Sequence, residues 1–323
     1  MNCKVSILIP CYNAEQWIAE TIESALNQTY PHKEVIVVDD GSTDSSLEII
    51  KTFSDRILWE TGSNRGGNIA RNRLLELSTG EWLQYLDADD YLLPNKVENQ
   101  ANFISTVPDA DIIWSPGILE YYDGNTFRRE PGPVYQQRDP WILLARWHLP
   151  QTGRVLWRKK AILDVGGWNV KQPCCQEHEL YLRLLMAGKH FVYLEDPSSV
   201  YRLWSGSTVS RKNKSATYKY RLEIIEKIEH YLELVGELNQ SRKDAINQSR
   251  FDCARMIWLF NRDWANDIIA TIRCKDPAFT LSGKAVPLNY RLIYSFLGFN
   301  SAENIANLKR KLFVLFNYFW LSQ

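Results

Sequence analysis

The first 120 residues alternate between two hydrophobic periods. Val5, Ile7, Leu8 and Ile9 belong to a nearly continuous apolar run, the pattern of a strand buried on both faces. Residues 14–28 switch to a helical spacing that puts Trp17, Ile18, Ile22, Ala25 and Leu26 on one face. The alternation then repeats. It predicts a strand over 34–38, a helix over 45–53, a helix over 66–77, a strand over 81–86 and a helix over 94–105 with proline near its first turn. Strands alternating with helices predict a parallel α/β sheet with right-handed crossovers. Ligands on such sheets bind beyond the carboxyl ends of the strands.

From residue 111 to 134 the pattern shortens into strands broken by Gly and Pro. A helix is expected over 177–187, with Leu180, Leu184 and Leu185 on its inner face, and late strands over 191–194 and 199–203. From Tyr218 onward Leu222, Ile225, Ile228, Leu232 and Val235 recur at three- and four-residue steps, which reads as helical. No solenoid-type repeat is present. The expected organisation is an α/β domain in two halves, 1–120 and 121–216, followed by a helical region over 217–323.

Composition changes this picture in one respect. A chain of 323 residues with 45% hydrophobic and 24% charged side chains is a globular protein long enough for two domains. Its 38 basic and 38 acidic residues cancel, which argues against a general nucleic-acid binder. The cancellation hides a split. Residues 1–120 carry 8 basic and 19 acidic side chains, and residues 121–323 carry 30 and 19. Two parts with different electrostatic roles are expected. The six cysteines form no C-x-x-C pair and no zinc spacing, so reduced thiols in a cytoplasmic protein are expected. The apolar run ending at Pro10 is too short for a secretion signal, and no stretch reaches the ~18 apolar residues of a membrane span.

Two acidic clusters fall at predicted strand ends. In VIVVDDGSTD (35–44) Asp40 stands where the chain leaves the sheet, where its carboxylate can accept a ligand's N–H; Thr43 or Asp44 can cap the next helix. In WLQYLDADD (82–90) three carboxylates occupy four positions, and their repulsion calls for a cation. Mg²⁺ or Mn²⁺ would take carboxylate oxygens and leave sites for phosphate and water. Asp90 also reads as an acid at the start of the following helix.

Together these segments resemble the family 2 glycosyltransferases, which have the GT-A fold, a Rossmann-like mixed sheet. The matching strings are VSILIPCYNAE (5–15), ESALNQTY (23–30), EVIVVDDGSTDSS (34–46), NRGGNIARN (64–72) and GEWLQYLDADDYLLP (80–94). The resemblance implies a UDP-, GDP- or dTDP-linked nucleotide-sugar donor, a divalent metal (Mn²⁺ or Mg²⁺), a glycan or lipid-linked acceptor and inversion at the anomeric carbon. It makes 1–120 the donor half and 121–216 the acceptor half with a closing loop. Carried over, Pro10, Tyr12 and the surroundings of Glu15 bracket the base, and Asp40 or Asp39 holds the base N–H. Arg71 and residues 64–67 lie along the nucleotide, Asp87 contacts the ribose, and Asp89 binds the metal.

Inverting transfer also needs a base for the acceptor hydroxyl. In the family a Glu-Asp pair precedes an apolar-Arg helix, and the Asp is the base. Here the pair reads Gln176-Glu177, which makes Glu177 the candidate; Glu179 and then His178 follow. Glu179 also reads as a first-turn acid that can pair with Arg183. Six basic and no acidic residues stand from 197 to 221, including Arg202, in a segment read either as a loop closing over a diphosphate or as a solvated linker. Many relatives carry a histidine two residues after this arginine. Trp204 replaces it, so Asp89 and phosphates are left to hold the ion, and Trp204 can stack on a sugar. Gly166-Gly167-Trp168 fits an acceptor-side turn whose aromatic would face a sugar ring.

At the C-terminus Lys309-Arg310-Lys311 runs into LFVLFNYFWL, which suits an interfacial helix at the cytoplasmic membrane face or, equally, a core or homodimer helix. The competing functions are a nucleotidyltransferase and a non-catalytic nucleotide-sugar or glycan binder. The first should carry a Gly- and Lys-rich phosphate loop, and the VSILIPCYNAE turn has none.

Overall fold

A computed structural model describes residues 3–123, 126–204, 213–283 and 286–321. Residues 205–212, the centre of the expected closing loop, lie outside that set. The chain divides into two compact units, 1–144 with 148–213, and 145–147 with 214–323.

The first unit begins β1 (Val5–Cys11), α1 (Ile18–Leu26), β2 (Lys33–Asp39), α2 (Ser46–Lys51), β3 (Leu58–Thr61), α3 (Gly67–Leu77) and β4 (Trp82–Tyr85). It continues with β5 (Tyr91–Leu92), α4 (Lys96–Ile104), β6 (Ile112–Trp114), β7 (Ile118–Asp123), β8 (Thr126–Pro131) and α5 (Pro140–Ala145). β9 (Val155–Arg158), α6 (Lys159–Asp164), α7 (Gln176–Met186), β10 (Phe191–Tyr193) and β11 (Ser199–Leu203) complete it.

Seven strands form one sheet in the order β10-β6-β9-β4-β1-β2-β3, and β5-β11-β7-β8 form a second. β1 lies parallel to both β2 and β4, with Val5 opposite Lys33 and Trp82. Val5, Ile7, Ile9, Val35, Val37, Trp82 and Leu86 form the core beneath helix residues Ile18, Ile22 and Ala25. Because β1, β2 and β4 are buried on both faces, their sequences are continuous apolar runs. The sheet is mixed, in keeping with the GT-A fold. β1, β2, β3 and β4, the strands of the alternating first part, run parallel as their pattern predicts, and β9 runs antiparallel to β4 and to β6.

β5 follows directly on the second acidic cluster and pairs antiparallel with β11, with Val200 opposite Tyr91. This pairing carries Arg202 to the end of β4, more than a hundred residues away in sequence.

The second unit contains α8 (Lys214–Leu234), α9 (Gln240–Ile257), α10 (Arg262–Lys275) and α11 (Leu288–Leu321). Asn239 and Asn261 cap α9 and α10 by accepting from the backbone N–H groups of Arg242 and Trp264, each at 3.0 Å. Glu229 and Arg250 form a buried two-pronged ion pair at 2.8 and 2.6 Å. Gly298, at φ +77°, breaks α11. Among the described residues no helix is long and apolar enough to cross a membrane.

Candidate active site

The loops after β1 and β2 hold one another by side-chain-to-backbone bonds. The amide oxygen of Asn13 accepts from Thr43 N at 2.8 Å, and Ser42 Oγ accepts from Asn13 N at 3.0 Å. Glu15 and Asp44 are reciprocal: Glu15 Oε2 accepts from Ser45 N, and Asp44 Oδ2 from Glu15 N. Asp44 Oδ1 also accepts from Ser46 N at 3.0 Å, the expected cap of α2. Although partial burial opposes its charge, these bonds hold the Asp44 carboxyl below its usual range. Pro10 is partly buried at the end of β1, and Tyr12 is half exposed beside this laced rim.

Asp39 and Asp40 are both buried. Asp39 accepts from Thr61 Oγ1 at 2.7 Å and from Ser42 N at 3.3 Å. Asp40 accepts from the backbone N–H groups of Arg65 and Gly66, each at 2.8 Å, and so shapes the loop ahead of α3. Gly41 is required between them and that loop. Its φ is +74°, and a Cβ there would lie 2.6 Å from Asn64 N and 2.9 Å from Gly62 O.

β4 delivers the second cluster. Asp87 and Asp89 are partly exposed and Asp90 is buried. Burial first, and then the charge of Asp87, push the Asp89 carboxyl upward; burial followed by Asp89 and Asp87 does the same to Asp90 more strongly. Trp204 Nε1 donates to Asp89 Oδ2 at 2.9 Å, and Arg202 N donates to Asp90 Oδ1 at 2.9 Å. The Arg202 side chain is 1% exposed, between Trp17 and Tyr91 rings 4.6 and 4.4 Å away. Its guanidinium donates to Glu120, Glu20 and the Asp89 carbonyl, so in this structure it buttresses the cluster from behind.

Two more segments complete the site. Arg71, buried on α3, donates to Asp87 Oδ1 at 2.9 Å and to Gln176 Oε1 at 2.8 Å. Gln176 thus meets the guanidinium with its amide oxygen, without adding a charge. Burial disfavours the Arg71 charge, but Asp87 and Glu177 outweigh it and raise its affinity for the proton. Glu177, partly buried at the start of α7, accepts from Thr152 Oγ1 at 2.9 Å. Glu179 is buried in a two-pronged pair with Arg183, at 2.9 and 2.8 Å. That bonding matches its reading as a first-turn acid. His178 packs edge-on to Tyr181.

Trp168 departs from its expected role. It is buried, edge-on to Tyr85 at 5.3 Å and under the Arg71 guanidinium at 4.9 Å, and cannot offer a face to a sugar. Asn72 locks it through two 2.8 Å bonds to its backbone. Its turn supports Arg71 instead. Thr152 and Tyr201 were not foreseen. Tyr201 lies where burial and then Asp90, Asp87, Asp89 and Glu177 all raise its hydroxyl. Neither stands in a motif, although an outward alternation in SVYRL would have marked Tyr201.

Among the described residues no three His, Cys, Asp or Glu side chains converge as a metal cage. The donor chemistry still fits a hard divalent ion. Two crowded carboxylates whose charge the surroundings disfavour would be relieved by a cation that takes its other ligands from phosphate and water.

Residues 6–165 match the family described as Glycosyl transferase family 2. The chain is 30% identical over 225 residues to an uncharacterized glycosyltransferase of Haemophilus influenzae, covering 68% of this chain and 86% of that one. It is 40% identical over 104 residues to the UDP-Glc:alpha-D-GlcNAc-diphosphoundecaprenol beta-1,3-glucosyltransferase WfaP of Escherichia coli, covering 32% of this chain and 41% of the relative. The crystal structure of S. aureus TarS 1-349 in complex with UDP-GlcNAc superposes with a TM-score of 0.69 at 18% identity, over 95% of this chain and 92% of that one. The acidic strand ends, their order along the chain and these matches agree: the chain belongs to glycosyltransferase family 2.

Proposed function

We propose that the protein is an inverting, divalent-metal-dependent glycosyltransferase. It moves a sugar from a nucleotide-diphosphate donor to a hydroxyl of a glycan or lipid-linked acceptor during cell-surface or extracellular polysaccharide synthesis. The observation that carries this reading is the Arg71 bridge, which brings the Asp87–Asp89 strand end and the start of the Glu177 helix to one place. The E. coli relative's diphosphoundecaprenol-linked acceptor supports the acceptor class. Free cysteines throughout fit a cytoplasmic location.

In this reading Pro10 and Tyr12 flank the base, and Asp39 and Asp40 order the loop that meets it. Asp87 takes the ribose hydroxyls, and Arg71 fixes its carboxylate. Asp89 holds the metal, Mn²⁺ or Mg²⁺, which when bound offsets charge on the leaving diphosphate. Arg202 holds Asp89 through its backbone carbonyl, while the Trp204 indole N–H occupies Asp89 Oδ2 and must yield that oxygen if the ion is to use it. Glu177 removes the proton of the acceptor hydroxyl, and Thr152 orients it for that task.

The test is transfer and donor binding in parallel, with Mn²⁺ present. Glu177→Gln should bind donor normally and lose transfer by about 10²-fold or more, whereas Asp89→Asn should weaken Mn²⁺ binding. Normal transfer by Glu177→Gln would remove the base assignment. Unchanged Mn²⁺ binding by Asp89→Asn would remove the metal site.

A further inference from the structure

We infer that the outer face of α11 is a docking surface for an anionic membrane, on which the helical unit rests without crossing it. The inference stands on the surface of this unit alone and is independent of the proposed chemistry.

Leu288, Leu292 and Phe296 recur at four-residue steps on the first limb of α11, so they line one side of the helix. They are 71, 50 and 82% exposed, and the adjoining Leu297 is exposed as well. Tyr290 and Phe299 turn the other way and are buried against Phe251. Beyond the break at Gly298, Leu308 and Leu312 are again exposed. Single exposed leucines are ordinary, but a stripe of large apolar side chains along one helix marks a surface that meets something.

The charges say what it meets. Residues 277–323 contain five basic residues, Lys284, Arg291, Lys309, Arg310 and Lys311, and one acidic residue, Glu303. Glu303 is buried and already bonded by Arg255, Arg310 and Tyr290, at 2.5, 3.2 and 2.7 Å. Among the described residues of the segment, the charge left for solvent is therefore positive. Lys309 and Lys311 are exposed beside Leu308 and Leu312. Their alkyl stems can lie along Leu308 and Leu312 while their ammonium groups reach outward. A second copy of this face would oppose like charges across a two-fold contact, which is unfavourable. Anionic headgroups above a hydrocarbon boundary satisfy both the leucines and the lysines.

The experiment is co-flotation of the full chain with phosphatidylcholine vesicles, with and without phosphatidylglycerol, at low and high salt. The protein should float with the anionic vesicles and be released by salt. Leu292→Glu with Phe296→Glu should lower the bound fraction at least about tenfold, roughly what losing one buried apolar side chain costs. Lys309→Glu with Lys311→Glu changes only exposed side chains and should weaken binding to anionic vesicles selectively. Failure of the wild-type protein to float with anionic vesicles, or equal flotation of either double variant, would overturn the inference. So would a dimer in sedimentation velocity that Leu292→Glu with Phe296→Glu dissociates, because the face would then join two copies.

Discussion

Replacing Lys96 with methionine should remove a pH-dependent cost built into the floor of the site. Lys96 opens α4, is 0% exposed, and donates to Gln84 Oε1 at 3.1 Å. Gln84 in turn donates to the carbonyls of Tyr85 and Gly153, which ties β4, and hence Asp87 and Asp89, to the segment carrying Thr152. Burial lowers the Lys96 amine from 10.5 to about 7, with Asp196 opposing the shift only in part. Between these values the unfolded chain holds a proton that the folded chain lacks, so stability rises with pH across this window. At 1.36 kcal/mol per pH unit where the difference is complete, the rise from pH 7 to pH 9 is roughly 2 kcal/mol. Below about pH 7 both states are protonated, the slope fades and the full cost remains. Methionine keeps the volume and loses the charge, although it leaves Gln84 Oε1 without its donor at a pH-independent cost of about 1 kcal/mol. Urea unfolding of both proteins at pH 6, 7, 8 and 9 measures the difference. The advantage of Lys96→Met should shrink by roughly 2 kcal/mol between pH 7 and pH 9. A difference that stays constant over that range would refute the argument, because Lys96 would then be charged in the folded protein throughout.

Two further outcomes are expected. Gly41→Ala should cost about 2 kcal/mol or more in urea unfolding, from the left-handed backbone together with the contact at Asn64 N, and wild-type stability would contradict it. Trp204→Phe keeps the ring and deletes the N–H that competes with a cation for Asp89 Oδ2. Calorimetric titration should show Mn²⁺ binding tightened by about tenfold or more, the worth of one hydrogen bond to a charged group; unchanged or weaker binding would show that the indole supports the metal-ready carboxylate.

The first strands and the acidic strand ends were legible because physics writes them plainly. Strands covered on both faces must be apolar throughout, and carboxylates packed at their ends stand out against them. β3 escaped because LWET is short and only partly buried, and β9 because four residues of VLWR carry no directional signal. Only the resemblance points to Glu177 as the candidate base; its partner Thr152 sits in a turn with no pattern of its own. Trp168 shows why aromatic residues mislead. Hydrophobicity marks a ring that must leave water, and a buried ring supporting Arg71 satisfies that demand as well as a sugar platform would. The basic segment draws attention to Arg202, but its place beneath Asp89 depends on a pairing of β5 and β11 that no local pattern encodes.

The shared guanidinium of Arg71 bears on the order in which substrates bind. One side chain divides its donors between the carboxylate proposed for the ribose and the amide beside the proposed base. A donor that draws on Asp87 would shift the positive charge felt at Glu177 before any acceptor arrives. An acceptor entering first would meet a base whose electrostatic setting is incomplete. The bridge would thus favour a sequential reaction with donor first, and the nucleotide itself would announce its presence to the group that starts the transfer.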